Sequence, residues 1–172
     1  MSVHDHSACG AEQDYRKFRR RDLRDGALAG ILAGGALIIM IFSYDMLSFT
    51  PLATPDFLSS GVFGGGDLGA GAEAKLRSAR IGAFTTLHLL TFALLGVIFA
   101  RFFRFTQLRK TLLSGVLYGL IVCTAVFAAG IHLTGTEMAA EPGWPGVLIG
   151  NFSAGLVMVV YLRRAQGVNS SG

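Results

Sequence analysis

The chain has 172 residues, of which 52% are hydrophobic and only 15% are charged, and its mean hydropathy is +0.53. Soluble domains carry about 25% charged residues, so this composition excludes an ordinary soluble globular protein. The formal net charge of +4 is compatible with an anionic partner, but the basic residues form short clusters beside apolar stretches. That distribution predicts a role at the membrane surface and no binding of nucleic acid.

Four uncharged stretches account for the low content of charged residues. Each is long enough to cross about 30 Å of hydrocarbon as an α-helix, and none shows the polar stripe of a soluble amphipathic helix. The sequence therefore predicts an all-α, polytopic integral membrane protein built as a bundle of four transmembrane helices. The predicted spans lie near residues 26–44, 81–100, 111–133 and 146–162, within a membrane domain of residues 26–165.

The segment before the first span, residues 1–25, is polar and ends in the basic cluster YRKFRRRDLR. It lacks the apolar centre of a cleavable signal peptide, so the first span is expected to act as its own signal anchor. Further basic clusters join spans 2 and 3 and follow span 4, before a short tail at 166–172. The positive-inside rule then predicts a bacterial-type inner membrane protein with both termini in the cytoplasm. Lys75, Arg77 and Arg80, just before span 2, depart from this pattern.

The connection between spans 1 and 2 contains signals for a short helix. In TPDFLSSGVF, Thr54 suits the N-cap, Pro55 the first helical position and Asp56 the first turn. The three glycines at positions 64–66 predict the end of this helix. Because several of its side chains are apolar, the helix is predicted to lie in the outer membrane interface.

Glycines recur at four-residue spacing in three of the spans. In lipid, helices associate through close backbone approach, which small residues allow. These glycines therefore predict helix-packing faces, with packing between spans of this chain favoured over contact with another membrane protein. They are Gly26, Gly30 and Gly34 in span 1, Gly115 and Gly119 in span 3, and Gly146 and Gly150 in span 4.

Two histidines occur inside the apolar spans, His88 in span 2 and His132 in span 3. In the predicted topology both lie in the outer part of the bundle with Asp45 and Asn151, and Glu137 lies in the loop above them. Ionisable groups inside a membrane are costly, tend to face the bundle interior and often have a function. This one-sided polar cluster is the most informative pattern in the sequence.

Three interpretations of the polar cluster compete. The favoured one is a hydrogen-bonded network that fixes one packing arrangement of the helices. The second is a cofactor site, in which His88 and His132 ligate haem or hold a transition metal together with Asp45. No HxxxH or ExxH spacing on a single helix supports the metal. The third is proton or ion transfer, which the absence of charged residues from the inner half of every predicted span disfavours.

No catalytic motif is present in the sequence, which has no nucleophile elbow, phosphate-binding loop or HExxH. No catalytic residue is therefore predicted. The small size and the glycine faces predict a non-catalytic accessory or structural subunit of a larger membrane complex, with an energy-transducing complex as one candidate. Its expected partners are the lipid bilayer and other membrane-protein subunits. The alternative is a haem- or metal-binding membrane protein that uses His88 and His132.

Overall fold

A computed structural model describes the backbone of most of the chain, and helices account for nearly all of it. The described backbone covers residues 5–64, 69–105, 112–134 and 143–167, and the described side chains cover 21–64, 74–102, 112–134 and 144–165. The elements are α1 (Asp5–Leu47), α2 (Ala53–Phe63), α3 (Gly69–Phe105), α4 (Leu112–Tyr118), a π-helical turn (Gly119–Cys123), α5 (Thr124–Thr134) and α6 (Gly143–Gly167).

Four segments of these helices are long and apolar enough to cross a membrane. The four predicted spans fall inside them or within one residue of their ends, so the prediction of an all-α, four-helix membrane bundle is confirmed. Span 3 consists of α4, the π-helical turn and α5, and each other span lies within one helix. The segments are Arg21–Leu47, Ala74–Phe102, Leu112–Thr134 and Trp144–Ala165.

Spans 1 and 2 are antiparallel and pack with their backbones in contact. A Cβ atom added at Gly26 would lie 2.8 Å from the Cα atom of Val97, and one at Gly30 would overlap the carbonyl group of Phe92. A Cβ atom at Gly34 would lie 3.1 Å from that of Phe92. All three predicted glycines of span 1 are therefore used for packing inside the chain.

Spans 3 and 4 approach each other in the same way. A Cβ atom at Gly115 would lie 2.6 Å from the Cβ atom of Val159, and one at Gly119 would overlap the carbonyl oxygen of Asn151. Gly150 faces span 1, since a Cβ atom there would lie 3.2 Å from a methyl group of Leu37. The remaining predicted glycine, Gly146, is half-buried near the start of α6.

The contact between spans 2 and 3 is made by aromatic side chains. The ring of Tyr118 lies 4.6 Å from that of Phe99, measured between centroids. The Tyr118 hydroxyl donates a hydrogen bond of 2.8 Å to the carbonyl oxygen of Leu95. Phe99 is fully buried, together with Met158 and Val159 of α6. The apolar core therefore lies in the half of the bundle that is remote from α2.

The two ends of the bundle differ in their charged residues. We call the end at which α2 lies the α2 end, and its described charged residues include Asp45, Asp56 and three basic residues before span 2. We call the opposite end the arginine end. Its described basic residues are Arg21, Arg24, Arg101, Arg163 and Arg164.

Candidate functional site

Asp45 lies at the α2 end of span 1 and is only 2% exposed. Its Oδ2 accepts the backbone N–H of Thr54 at 3.0 Å, and its Oδ1 accepts the Thr54 hydroxyl at 2.6 Å. The first N–H groups of a helix have no partner within the helix. Asp45 supplies that partner, so it caps the first turn of α2 from a different helix.

The prediction that Thr54 is the N-cap of α2 is wrong. Leu52 occupies the N-cap position, with a left-handed φ of 65° and no hydrogen bond from its side chain. Thr54 lies inside the first turn and binds Asp45 instead. The sequence of the loop alone could not indicate that the capping carboxylate belongs to a residue of span 1. The other predicted limit of this helix is confirmed, because Gly64 ends α2 with a φ of 78°.

The turn between α1 and α2 is conformationally strained and depends on Asp45. Phe49 and Leu52 both have positive φ angles, of 57° and 65°, and a non-glycine residue pays roughly 1–2 kcal/mol for that region. The backbone carbonyl of Asp45 accepts the N–H of Thr50 at 3.0 Å. The same residue therefore holds this turn with its backbone and the start of α2 with its side chain.

The rest of α2 is fixed to α3 by two arginines. Arg77 Nε lies 2.9 Å from Oδ2 of Asp56, and Arg80 donates a hydrogen bond of 2.7 Å to the carbonyl oxygen of Gly64. Asp56 Oδ1 and Arg80 Nε are shielded from solvent without a partner of their own. These two arginines are among the basic residues that depart from the predicted charge pattern, and their contacts fix α2 at both of its ends.

Asn151 is buried deeper in the bundle, at 3% exposure. Its Nδ2 donates a hydrogen bond of 3.0 Å to the hydroxyl oxygen of Thr124 on span 3. Thr124 is the first residue after the π-helical turn Gly119–Cys123. Such turns occur often at functional sites, and this one lies where spans 3 and 4 are linked by a pair of polar side chains.

His88 lies on the inward side of α3. It precedes Phe92 by one helical turn and Leu95 by two, and both of these residues are only 6% exposed. The imidazole is flanked by the rings of Phe84 and Phe92, at centroid distances of 6.1 and 4.7 Å. Its Nε2 is shielded from solvent and has no hydrogen-bond partner. His88 is therefore a polar group in an aromatic setting, without the network that the sequence predicted.

His132 is exposed near the end of α5. The helix to which it belongs has no buried residue. Glu137, the loop member of the predicted cluster, lies outside the described residues.

The contacts between spans place the predicted cluster at two depths. The backbone of Gly30 is level with that of Phe92, so Asp45 lies roughly 16 Å closer to the α2 end than His88 does, at 1.5 Å per residue. Gly119 is level with Asn151, which puts His132 roughly 20 Å closer to that end than Asn151, and Gly150 contacts Leu37 of span 1, which puts Asn151 near the level of His88.

The structure therefore gives separate polar contacts where the sequence predicted one cluster. Asp45 binds Thr54, and Asn151 binds Thr124. In the described part of the chain, no three His, Cys, Asp or Glu side chains come close enough to hold a metal ion. The predicted metal site of Asp45, His88 and His132 is thus not formed, because the three residues differ in depth and Asp45 already has its partner. The two histidines proposed as haem ligands are likewise not brought together.

Comparison with known proteins adds no assignment, since no protein-family model, curated protein or solved structure matches the chain.

Three residues that bind across helices, Thr54, Thr124 and Tyr118, were not singled out as parts of the site by the sequence. Single polar residues within apolar spans were the available signal for Thr124 and Tyr118. Of the predicted site residues, His88 alone combines a chemically versatile side chain with an inward position and no partner among the described residues.

Proposed function

We propose that the chain is a non-catalytic integral membrane protein that serves as an accessory or structural subunit of a larger membrane assembly. An energy-transducing complex is a candidate for that assembly. The observation that supports this role is the uncovered surface of α5. None of the residues of α5 is buried, although it forms half of a span.

The surface of α5 suits contact with another transmembrane helix. Ala125, Ala129 and Gly130 are exposed on it, and a Cβ atom added at Gly130 would meet nothing within 4 Å. Small residues let the backbones of two helices approach closely in lipid. Gly30 and Gly119 already face backbone atoms of neighbouring spans, so they are not available to a partner, whereas Gly130 is.

Site-specific photo-crosslinking in the native membrane tests this proposal. A photoreactive residue in place of Ala129 should give one adduct of constant mass with a second membrane protein. The same residue in place of Leu90, which is 64% exposed on span 2, is the matched control and should give no protein adduct. Gly130→Leu should abolish the Ala129 adduct by filling the open face. Equal labelling at both positions, or no adduct together with the mass of the isolated chain in mild detergent, would contradict the proposal.

We further propose that the protein resides in a bacterial-type inner membrane with both termini in the cytoplasm. The support is the concentration of arginines at the arginine end, which the positive-inside rule associates with the cytoplasmic side. At the α2 end, Arg77 is paired with Asp56 and Arg80 with a backbone carbonyl. These contacts account for Arg77 and Arg80 at the α2 end, where the positive-inside rule predicts few basic residues.

Labelling with a membrane-impermeant thiol reagent tests this orientation. In a Cys123→Ser variant, Cys9 is the sole thiol, and it should be protected in intact cells and labelled in inverted vesicles. Phe49 is 92% exposed at the α2 end. Phe49→Cys in a chain lacking both native cysteines should therefore give the opposite pattern. Labelling of Cys9 in intact cells would overturn the orientation.

A further inference from the structure

The imidazole of His88 has no hydrogen-bond partner in the described part of the chain. Its Nε2 is shielded, and the residue as a whole is half-buried. Inside a membrane no bulk water is available, so an unpaired polar group is costly and calls for a partner that is absent from the isolated chain. Rotation about the last side-chain bond exchanges ring nitrogen and carbon positions, so Nε2 is not confined to its shielded position.

His88 belongs to an inward stripe of α3 whose buried part begins one turn later, at Phe92, whereas His88 itself is half-buried. Leu95 and Phe99, farther along the stripe, are covered by Tyr118 of span 3. Arg77 lies three helical turns before His88 and is bound by α2. Beside His88 itself, the half of span 3 that could cover it is α5, which packs weakly on α6 and not closely on α3.

We propose that the space beside His88 that α5 leaves uncovered on α3, here called the cleft, binds a lipid-soluble molecule with a planar, oxygen-bearing ring on an apolar tail, and that His88 hydrogen-bonds to the ring oxygen. A neutral imidazole carries one donor and one acceptor, so it pairs equally with a carbonyl or a hydroxyl oxygen. The molecule belongs to the quinone or phenol class and enters from the bilayer.

The residues around His88 account for the choice of a planar, uncharged ring. Phe84 and Phe92 are tilted by 30° and 41° from the imidazole plane, and aromatic side chains favour offset or tilted stacking on another ring. A pocket with aromatic walls and a single polar group is typical of sites for small apolar ligands. The charged groups nearest along the stripe, Arg77 and Asp56, are paired with each other, so the cleft offers no counter-ion to a charged head group.

Fluorescence of the single tryptophan provides a binding assay. Trp144 packs edge-on against Phe127 of α5, with ring centroids 6.5 Å apart, so it reports on the α5 wall of the cleft. A benzoquinone with a decyl tail, titrated into the full chain in nanodiscs of zwitterionic lipid, should quench this fluorescence saturably. His88→Phe keeps the aromatic volume but loses the hydrogen bond, and should weaken the apparent affinity about tenfold, corresponding to about 1.4 kcal/mol.

Two further variants separate loss of the hydrogen bond from loss of the fold. His88→Gln retains a donor and an acceptor and should bind more tightly than His88→Phe. Thr91→Val removes an exposed hydroxyl, bonded to its own helix at the carbonyl of Leu87, and should stay within about twofold of the parent chain because its hydroxyl is already paired. Decanol carries the same tail and a hydroxyl but no ring, and should not displace the quinone.

Three results would overturn the proposal. Unsaturable quenching that is equal in the parent chain and His88→Phe would mean that the quinone only partitions into the bilayer. Equal affinities of His88→Phe and Thr91→Val would show that the imidazole makes no contact with the ligand. Displacement by decanol at the same concentration would exclude recognition of the ring. None of these outcomes depends on the crosslink at Ala129, so the ligand site and the subunit role can fail separately.

Discussion

Replacing Gly30 with alanine tests the backbone contact between spans 1 and 2. The new methyl group would overlap the carbonyl group of Phe92 and lie 2.9 Å from the Cα atom of Ala93. Carbon atoms pack best at about 3.5–4.0 Å, so the two helices must separate by about 1 Å at their crossing point. A gap of that size loses a quarter to a half of the dispersion energy of each contact that it opens.

The expected cost follows from two opposing terms. Overpacking of a close contact costs typically 1–3 kcal/mol, and the crossing at Gly30 belongs at the upper end because the obstacle is backbone, which cannot rotate away. Alanine regains up to about 1 kcal/mol of helix propensity over glycine. We therefore expect Gly30→Ala to lower the free energy of unfolding by about 2 kcal/mol.

Gly35 provides a matched control in the same span, because a Cβ atom there would meet nothing within 4 Å. Gly35→Ala should leave the free energy of unfolding unchanged or raise it by up to about 1 kcal/mol. Unfolding is measured by far-ultraviolet circular dichroism in mixed micelles with an increasing fraction of dodecyl sulfate. Equal midpoints for the two variants would refute the close packing of spans 1 and 2 at Gly30.

Three further substitutions address individual polar contacts. Asp45→Asn removes the charge and one of the two acceptors that hold the first turn of α2. The free energy that protects the amides of α2 from hydrogen exchange should therefore fall by roughly 2 kcal/mol. Unchanged exchange would argue against capping by Asp45. Tyr118→Phe removes the hydrogen bond between spans 2 and 3 at the carbonyl of Leu95 and should cost about 1 kcal/mol in the same micelle titration, whereas an increase in stability would contradict the hydrogen bond. Arg77→Gln breaks an ion pair with Asp56 that is partly exposed and should cost less than about 1 kcal/mol. A larger loss would mean that this pair is better shielded than its exposure indicates.

The spans and their glycine faces were predictable because each depends on local composition. A stretch without charges needs no knowledge of its neighbours to be identified as a membrane span. Gly26 and Gly30 were correctly expected to pack, but Gly96, which faces them from span 2, was not, since it stands without another glycine at four-residue spacing. The four-residue spacing of small residues identifies one packed helix face but does not identify the helix face that contacts it.

The polar cluster was predicted less well, for two physical reasons. The rise of a helix gives depth along one span, but the relative depth of two spans depends on how their side chains interlock. Contacts at Gly30, Gly119 and Gly150 set that offset, and it places His88 and His132 at different levels. The second reason is the turn before α2, where an unusual backbone brings Thr54 to Asp45. Neither positive φ angle lies at a glycine, so the sequence contained no signal for these two left-handed residues.

Because of the π-helical turn, the face that α5 presents to α6 does not continue the face that α4 presents to α6. Gly119 faces α6 through the backbone of Asn151, and the side chains of Thr124 and Phe127 also contact α6. A continuous α-helix repeats a face every three or four residues, which would carry this face from Gly119 on to a position near Gly130. The five-residue step rotates Gly130 away from α6 and leaves it open. Conversion of the turn to regular α-helix with all of its residues kept would turn Gly130 toward α6 and close the open face, whereas deletion of one residue would leave Gly130 open, because the π-helical turn accommodates one extra residue.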